Sequence, residues 1–138
     1  MAKALKYLFL FSFGGIIYIL IEMLWRGYSH WSMFILGGLC FVLLGLINQK
    51  YTRDIPLPIQ MLIGAFIITA LEFISGCILN LWLGLNVWDY YDMPYNIMGQ
   101  ICLPYMILWF LLSPVCIVTD DYIRYLFFEE DKPHYKLV

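Results

Sequence analysis

Two carboxylates, Glu22 and Glu72, stand inside long apolar runs. A carboxylate in hydrocarbon is costly, so each is expected to be protonated, paired or turned toward a wet cavity. Glu22 has Arg26 one helical turn away on the same face, which reads as a structural ion pair. Glu72 has no base nearby in sequence, and Ile68, Thr69, Ser75 and Gly76 share its face. Small residues there allow close helix approach, so Glu72 reads either as the lining of a site or as an interhelical hydrogen-bonding group. The stretch 86–96 adds Trp88, Asp89, Asp92 and Asn96, and its flanks add Asn80 and Gln100. Converging with Glu72, these side chains would make an acidic, aromatic-rimmed pocket for a cation or a headgroup. The same Asp, Asn and Pro residues also suit helix caps and turns.

Glu72 with Asp89 or Asp92 could do acid and base work on a lipid. Against that reading, His30 is the one histidine near these residues, and neither a nucleophile motif nor a Cys/His cluster accompanies them. A protein that is not an enzyme, with no metal and no cofactor, is expected. Cys40, Cys77, Cys102 and Cys116 all lie in apolar runs without metal-ligand spacing and read as small buried residues, with a Cys77–Cys102 pairing as the alternative.

The elements that position these residues follow from the solvent. The chain has 138 residues, 63% hydrophobic and only 13% charged, with a mean hydropathy of +0.80. A soluble domain carries about 25% charged residues, so this composition calls for lipid and excludes a nucleic-acid binder, a soluble α/β enzyme and a disordered chain. A bilayer core of about 30 Å takes roughly 20 helical residues. Four runs qualify: about 7–25, 31–47, 59–83 and 97–118. The expected fold is all-α, a four-helix transmembrane domain over residues 1–119. Residues 120–138 form a cytoplasmic tail, in which Ile123, Leu126 and Phe127 recur at the spacing of a short amphipathic helix. Pro56 and Pro58 suit the start of the third helix, whereas Pro104 and Pro114 should bend the fourth.

Of the eight Lys and Arg residues, Lys3, Lys6, Lys50, Arg53, Arg124, Lys132 and Lys136 fall on one side of this arrangement and only Arg26 on the other. Basic residues near span ends stay in the cytoplasm, which puts both termini inside and the stretch 85–96 outside a plasma membrane. Trp25, Tyr28, Trp31, Trp82, Trp88, Tyr90, Tyr91 and Tyr95 then form an interfacial aromatic belt. Glu22 matches Glu72, and Ile35-Leu36-Gly37-Gly38-Leu39-Cys40 matches Ile97-Met98-Gly99-Gln100-Ile101-Cys102. These matches suggest two parallel helix-pair repeats.

Several segments resemble one family, the bacterial membrane proteins called putative ABC-transporter type IV, or CmpB-like, permeases. They are Leu71-Glu72-Phe73-Ile74-Ser75-Gly76, Trp88-Asp89-Tyr90, Pro94-Tyr95-Asn96, Gly99-Gln100-Ile101-Cys102-Leu103-Pro104 with Trp109, and Asp120-Asp121-Tyr122-Ile123-Arg124-Tyr125. The stretch from Trp25 to Gly38 fits as well. Relatives often carry Ser where this chain has Tyr91 and Met106, so a site built on those hydroxyls would be altered here. The resemblance implies a permease-like component of a transport system. The chain has no GxxxxGK[ST] loop, so ATP hydrolysis would belong to a separate subunit, and a cytoplasmic ATPase or adaptor would bind at the C-terminal tail or at residues 48–56. Four spans are few for a transport path, which points to a homo-oligomer. The competing reading is a noncatalytic membrane scaffold or lipid-sensing protein, acting through helix–helix and lipid contacts.

The charge asymmetry makes the topology testable. Reporters fused at residue 52 and at the C-terminus should report cytoplasm, and reporters at residues 28 and 90 the exterior. An exterior C-terminus would mean that the spans are miscounted.

Overall fold

The computed structural model describes residues 2–47, 55–130, 132–133 and 135–137. The polar turn expected at 48–54, with Lys50 and Arg53, lies outside the described residues. The fold is all-helical: α1 Ala2–Arg26, α2 Trp31–Gly45, α3 Leu57–Gly76 and α4 Leu103–Phe127. A π-helical extension, Cys77–Trp82, continues α3. Three helices are long and apolar enough to cross a membrane, Lys3–Arg26, Leu57–Trp82 and Leu103–Phe127, while α2 is shorter. Outward faces carry large apolar side chains such as Leu24, Phe66 and Leu111, and buried positions include Gln60, Glu72, Gln100 and Asp120. This polarity suits lipid as the solvent.

Local chemistry sets the helix ends. α1 stops at Gly27, whose φ of 80° is the left-handed geometry of a helix C-terminus, and its N–H bonds the Met23 carbonyl at 3.0 Å. His30 caps α2, its Nδ1 accepting the Ser32 N–H at 3.2 Å. α3 starts with Pro58 in its first turn, where no helical N–H is required. Its last turn widens so that the Leu83 N–H reaches the Ile78 carbonyl at 2.9 Å, a five-residue step.

The fourth helix differs from its expected course at both ends. It begins at Leu103 rather than Ile97, because residues 97–101 close on themselves, the Ile97 N–H bonding the Ile101 carbonyl at 2.9 Å. Met98 and Gly99 both take positive φ there, and the Tyr91 ring occupies the space where a Cβ on Gly99 would go. Pro104 therefore falls in the first turn of α4, where it is tolerated and does not bend the helix. Pro114 is interior, and beside it the buried Ser113 donates its hydroxyl to the Trp109 carbonyl at 2.7 Å. The proposed repeat loses its second match: 35–40 is helix within α2, whereas 97–102 is the non-helical turn before α4. Past Val118 the chain stays helical without interruption to Phe127, so the amphipathic segment is the last part of α4. All four cysteines are free, which removes the Cys77–Cys102 alternative.

α1 packs chiefly on α2 and α3 on α4, and α2 joins the two hairpins. The α1–α2 contact is reciprocal. Phe41 and Phe34 of α2 sit against Gly14 and Gly15, and Tyr18 and Phe11 of α1 sit against Gly37 and Gly38. Aromatic rings fill what small residues leave open, the means by which helices approach closely in lipid. The start of α1 and the end of α4 lie together at one end, the termini end, where Lys6 meets Glu130 at 2.6 Å; the 83–102 segment covers the other, the loop end.

A Cβ on Gly15 would lie 2.5 Å from the Phe34 carbonyl oxygen, and one on Gly38 2.5 Å from that of Phe11. Backbone cannot swing aside as a side chain can, so α1 and α2 must separate. Gly15→Ala and Gly38→Ala should each cost about 1–3 kcal/mol. Leu39→Ala, on the exposed face, should stay within about 0.5 kcal/mol. Thermal unfolding in detergent distinguishes the two classes.

Candidate functional site

Glu72 points inward from α3 and is 4% exposed. Its Oε2 accepts the Tyr90 hydroxyl at 3.0 Å, and its Oε1 faces the Trp109 indole N–H at 3.4 Å. The Tyr90 ring stacks on Tyr105, with centroids 4.8 Å apart and planes 11° from parallel. Tyr18 of α1 closes the far side, edge-on to Trp109 at 6.5 Å. Aromatic donors and faces thus surround one carboxylate. Burial first, and the charge of Glu72 second, raise Tyr90 far above the usual phenol range, so it stays a neutral donor.

Glu22 belongs to the same region. It lies one turn beyond Tyr18 on α1. Arg26 Nε lies 2.5 Å from Glu22 Oε2, which is the expected ion pair. Arg26 also donates from Nη1 to the Val87 carbonyl at 2.8 Å and lies over the Tyr28 ring at 4.6 Å. It therefore pins the loop end to α1.

The other expected site residues divide into two groups. Asn80 and Gln100 meet each other, Asn80 Nδ2 donating to Gln100 Oε1 at 2.8 Å. Asn80 Oδ1 accepts the Val87 N–H at 2.6 Å, Gln100 Nε2 donates to the Met98 carbonyl at 2.9 Å, and Trp88 Nε1 donates to the Gln100 carbonyl at 3.0 Å. Gly76 makes room for this network, since a Cβ there would fall 2.6 Å from Gln100 Oε1. Asn96 holds its own turn through the carbonyls of Tyr91 and Met93 and the Gly99 N–H. Glu72 is bonded not to Gln100 but to Tyr90 and Trp109. Asp89 and Asp92 are exposed, and Asp89 accepts the Tyr91 N–H at 2.9 Å. They do not join Glu72, so an acid–base pair of Glu72 with either aspartate is not assembled.

What Asp89 and Asp92 do line is a cavity of about 440 Å³ at the loop end, together with Arg26, Tyr28, Tyr90 and Tyr105. The Tyr90 ring forms part of its wall while the Tyr90 hydroxyl reaches Glu72. Tyr90, Tyr105 and Trp109 are the residues that sequence reasoning missed in this role. Tyr90 falls among aromatics that suit any membrane interface, and nothing in linear spacing links 72, 90 and 109.

A second polar cluster lies at the termini end. Asp120, Asp121 and Arg124 are 1%, 5% and 3% exposed. Arg124 Nη2 reaches the Gly45 carbonyl at 2.9 Å, Asp121 Oδ1 at 2.7 Å and Asp120 Oδ2 at 2.8 Å. Gly45 admits the Asp120 carboxyl where any Cβ would collide. The Tyr135 hydroxyl donates to Asp121 Oδ2 at 3.0 Å, and burial together with that carboxylate raises its phenol. The spacing of Asp120 four and Asp121 three residues before Arg124 was the available signal.

The family model described as Putative ABC-transporter type IV matches residues 5–130. The chain belongs to that family. The match takes in Glu72, the loop-end cavity and the Asp120–Arg124 cluster alike. No curated protein and no solved structure matches the chain. Membership places this member among transport-related membrane proteins, and its apolar helices agree with that setting.

If Arg26 compensates Glu22, Arg26→Leu should destabilise the protein in detergent more than Arg26→Leu combined with Glu22→Gln. A double-mutant cycle should return a coupling of about 0.5–3 kcal/mol. A coupling near zero would sink the pair.

Proposed function

We propose that the protein is the permease-like membrane component of a transport system, receiving its solute in the loop-end cavity. The observation that carries this reading is the double role of Tyr90, whose ring lines the cavity and whose hydroxyl bonds the buried Glu72. A solute against that ring touches a group wired to the bundle interior. Concave sites with aromatic walls and a few polar groups are the common form of small-molecule sites, and 440 Å³ lies within their usual range.

In this reading the loop end faces the exterior of a plasma membrane and both termini face the cytoplasm. A separate ATPase or adaptor docks at the termini end and supplies the energy. A homo-oligomer provides the width of path that one small bundle lacks. Transport rather than catalysis fits the family. The second reading, a noncatalytic scaffold or lipid sensor, is favoured by Asn80, Asn96 and Gln100, whose bonds hold the loop end together.

Ser113 tests the proposal. It is fully buried, between Glu72's donor Trp109 and the termini-end cluster. With the four native cysteines replaced, Ser113→Cys in native membranes should react with a membrane-impermeant thiosulfonate in right-side-out vesicles and also in inside-out vesicles, as alternating access requires. Protection from both sides would favour the scaffold.

A further inference from the structure

We infer that the loop-end cavity takes an organic ammonium group, an inference that rests on the cavity being a ligand mouth. Three tyrosines, Tyr28, Tyr90 and Tyr105, contribute to its lining. Tyr90 and Tyr105 form a stacked pair there. Faces of this kind attract cations through the ring quadrupole and suit alkylated ammonium groups, which lose little hydration on leaving water. Tyr90 is a strong face for the purpose, because a phenol that donates its hydrogen bond to a carboxylate gains electron density on its ring.

The charges agree with the walls. Arg26 is neutralised by Glu22 at 2.5 Å and occupies the face of Tyr28. Asp89 and Asp92 therefore supply the unbalanced charge of the lining, and it is negative. An anion would meet two carboxylates. A hard metal ion would want a cage of oxygen ligands, and among the described residues no group of three His, Cys, Asp or Glu is placed to hold one. Arg26 over Tyr28 already shows a cation on an aromatic face at the rim. The ammonium could belong to a free solute or to a lipid headgroup, since the site lies where helices end and aromatic side chains gather. The recognition chemistry is the same in both cases.

The test uses the full chain in nanodiscs of phosphatidylglycerol and equilibrium dialysis of radiolabelled choline. Saturable binding is expected, with competition by tetramethylammonium but not by potassium or by the neutral tert-butyl analogue of choline. Asp92→Asn should weaken binding measurably, and Tyr105→Leu should weaken it about 2- to 30-fold, the range of one cation–aromatic contact, while Tyr105→Phe retains it. Unfolding temperatures of the variants check that folding is kept. In nanodiscs of phosphatidylcholine, loss of choline binding identifies the headgroup as the occupant and undiminished binding a free solute; either supports the ammonium site. Absence of saturable binding in phosphatidylglycerol, equal competition by the neutral analogue, or indifference to both Asp92→Asn and Tyr105→Leu would overturn it. The transport reading stands or falls separately: Ser113→Cys reacting from both sides with no choline binding removes only the ligand class, and choline binding with Ser113→Cys protected leaves an ammonium-binding protein that is not a conduit.

Discussion

Hydrocarbon offers no hydrogen-bond partner, and the arrangement of this bundle answers to that constraint. Every polar group taken inside must be met by another group of the protein. Glu72 is met by Tyr90 from the connecting segment and by Trp109 from α4. Arg26 is met by Glu22 on its own helix and by the Val87 carbonyl. Asn80 and Gln100 meet each other and the backbone at 87 and 98. The 83–102 segment, which is not a span, is thereby fixed to α1 and to α3 with its extension by bonds that would be costly to lose.

The two ends of the bundle satisfy the constraint differently. At the loop end neutral donors surround the Glu72 carboxylate. At the termini end Arg124 stands between Asp120 and Asp121 and reaches across to α2 at Gly45. A buried ionic group of this kind adds little net stability when complete, but removing one partner strands the others. It therefore fixes which faces of α2 and α4 may meet more than how firmly they hold.

Much of this was legible in the sequence. The apolar runs gave α1 and α3 closely, and the Glu22–Arg26 pair followed from helical spacing alone. The stretch 97–102 was misleading because hydropathy counts side chains and says nothing of backbone. Ile97, Met98, Ile101 and Cys102 are apolar enough for a span, yet positive φ at Met98 and Gly99 and the proline at 104 hold them out of the helix. Gly99 and Pro104 were the visible signs. The inward turn of Asp120, Asp121 and Arg124 was hidden for another reason: their spacing shows that they can pair, but only Gly45, far away in sequence, decides that they pair inside.

Pro114 gives α4 a mechanical character. Lacking an N–H, it leaves the Phe110 carbonyl without its helical donor, and the nearby Ser113 hydroxyl is engaged with the Trp109 carbonyl. The rod is softest there. Toward the termini, Asp120, Asp121 and Arg124 anchor it; toward the loop end it carries Trp109 and Tyr105 as one lever arm. A tilt of that arm about the proline joint shifts a wall of the cavity and a donor to Glu72 in the same stroke.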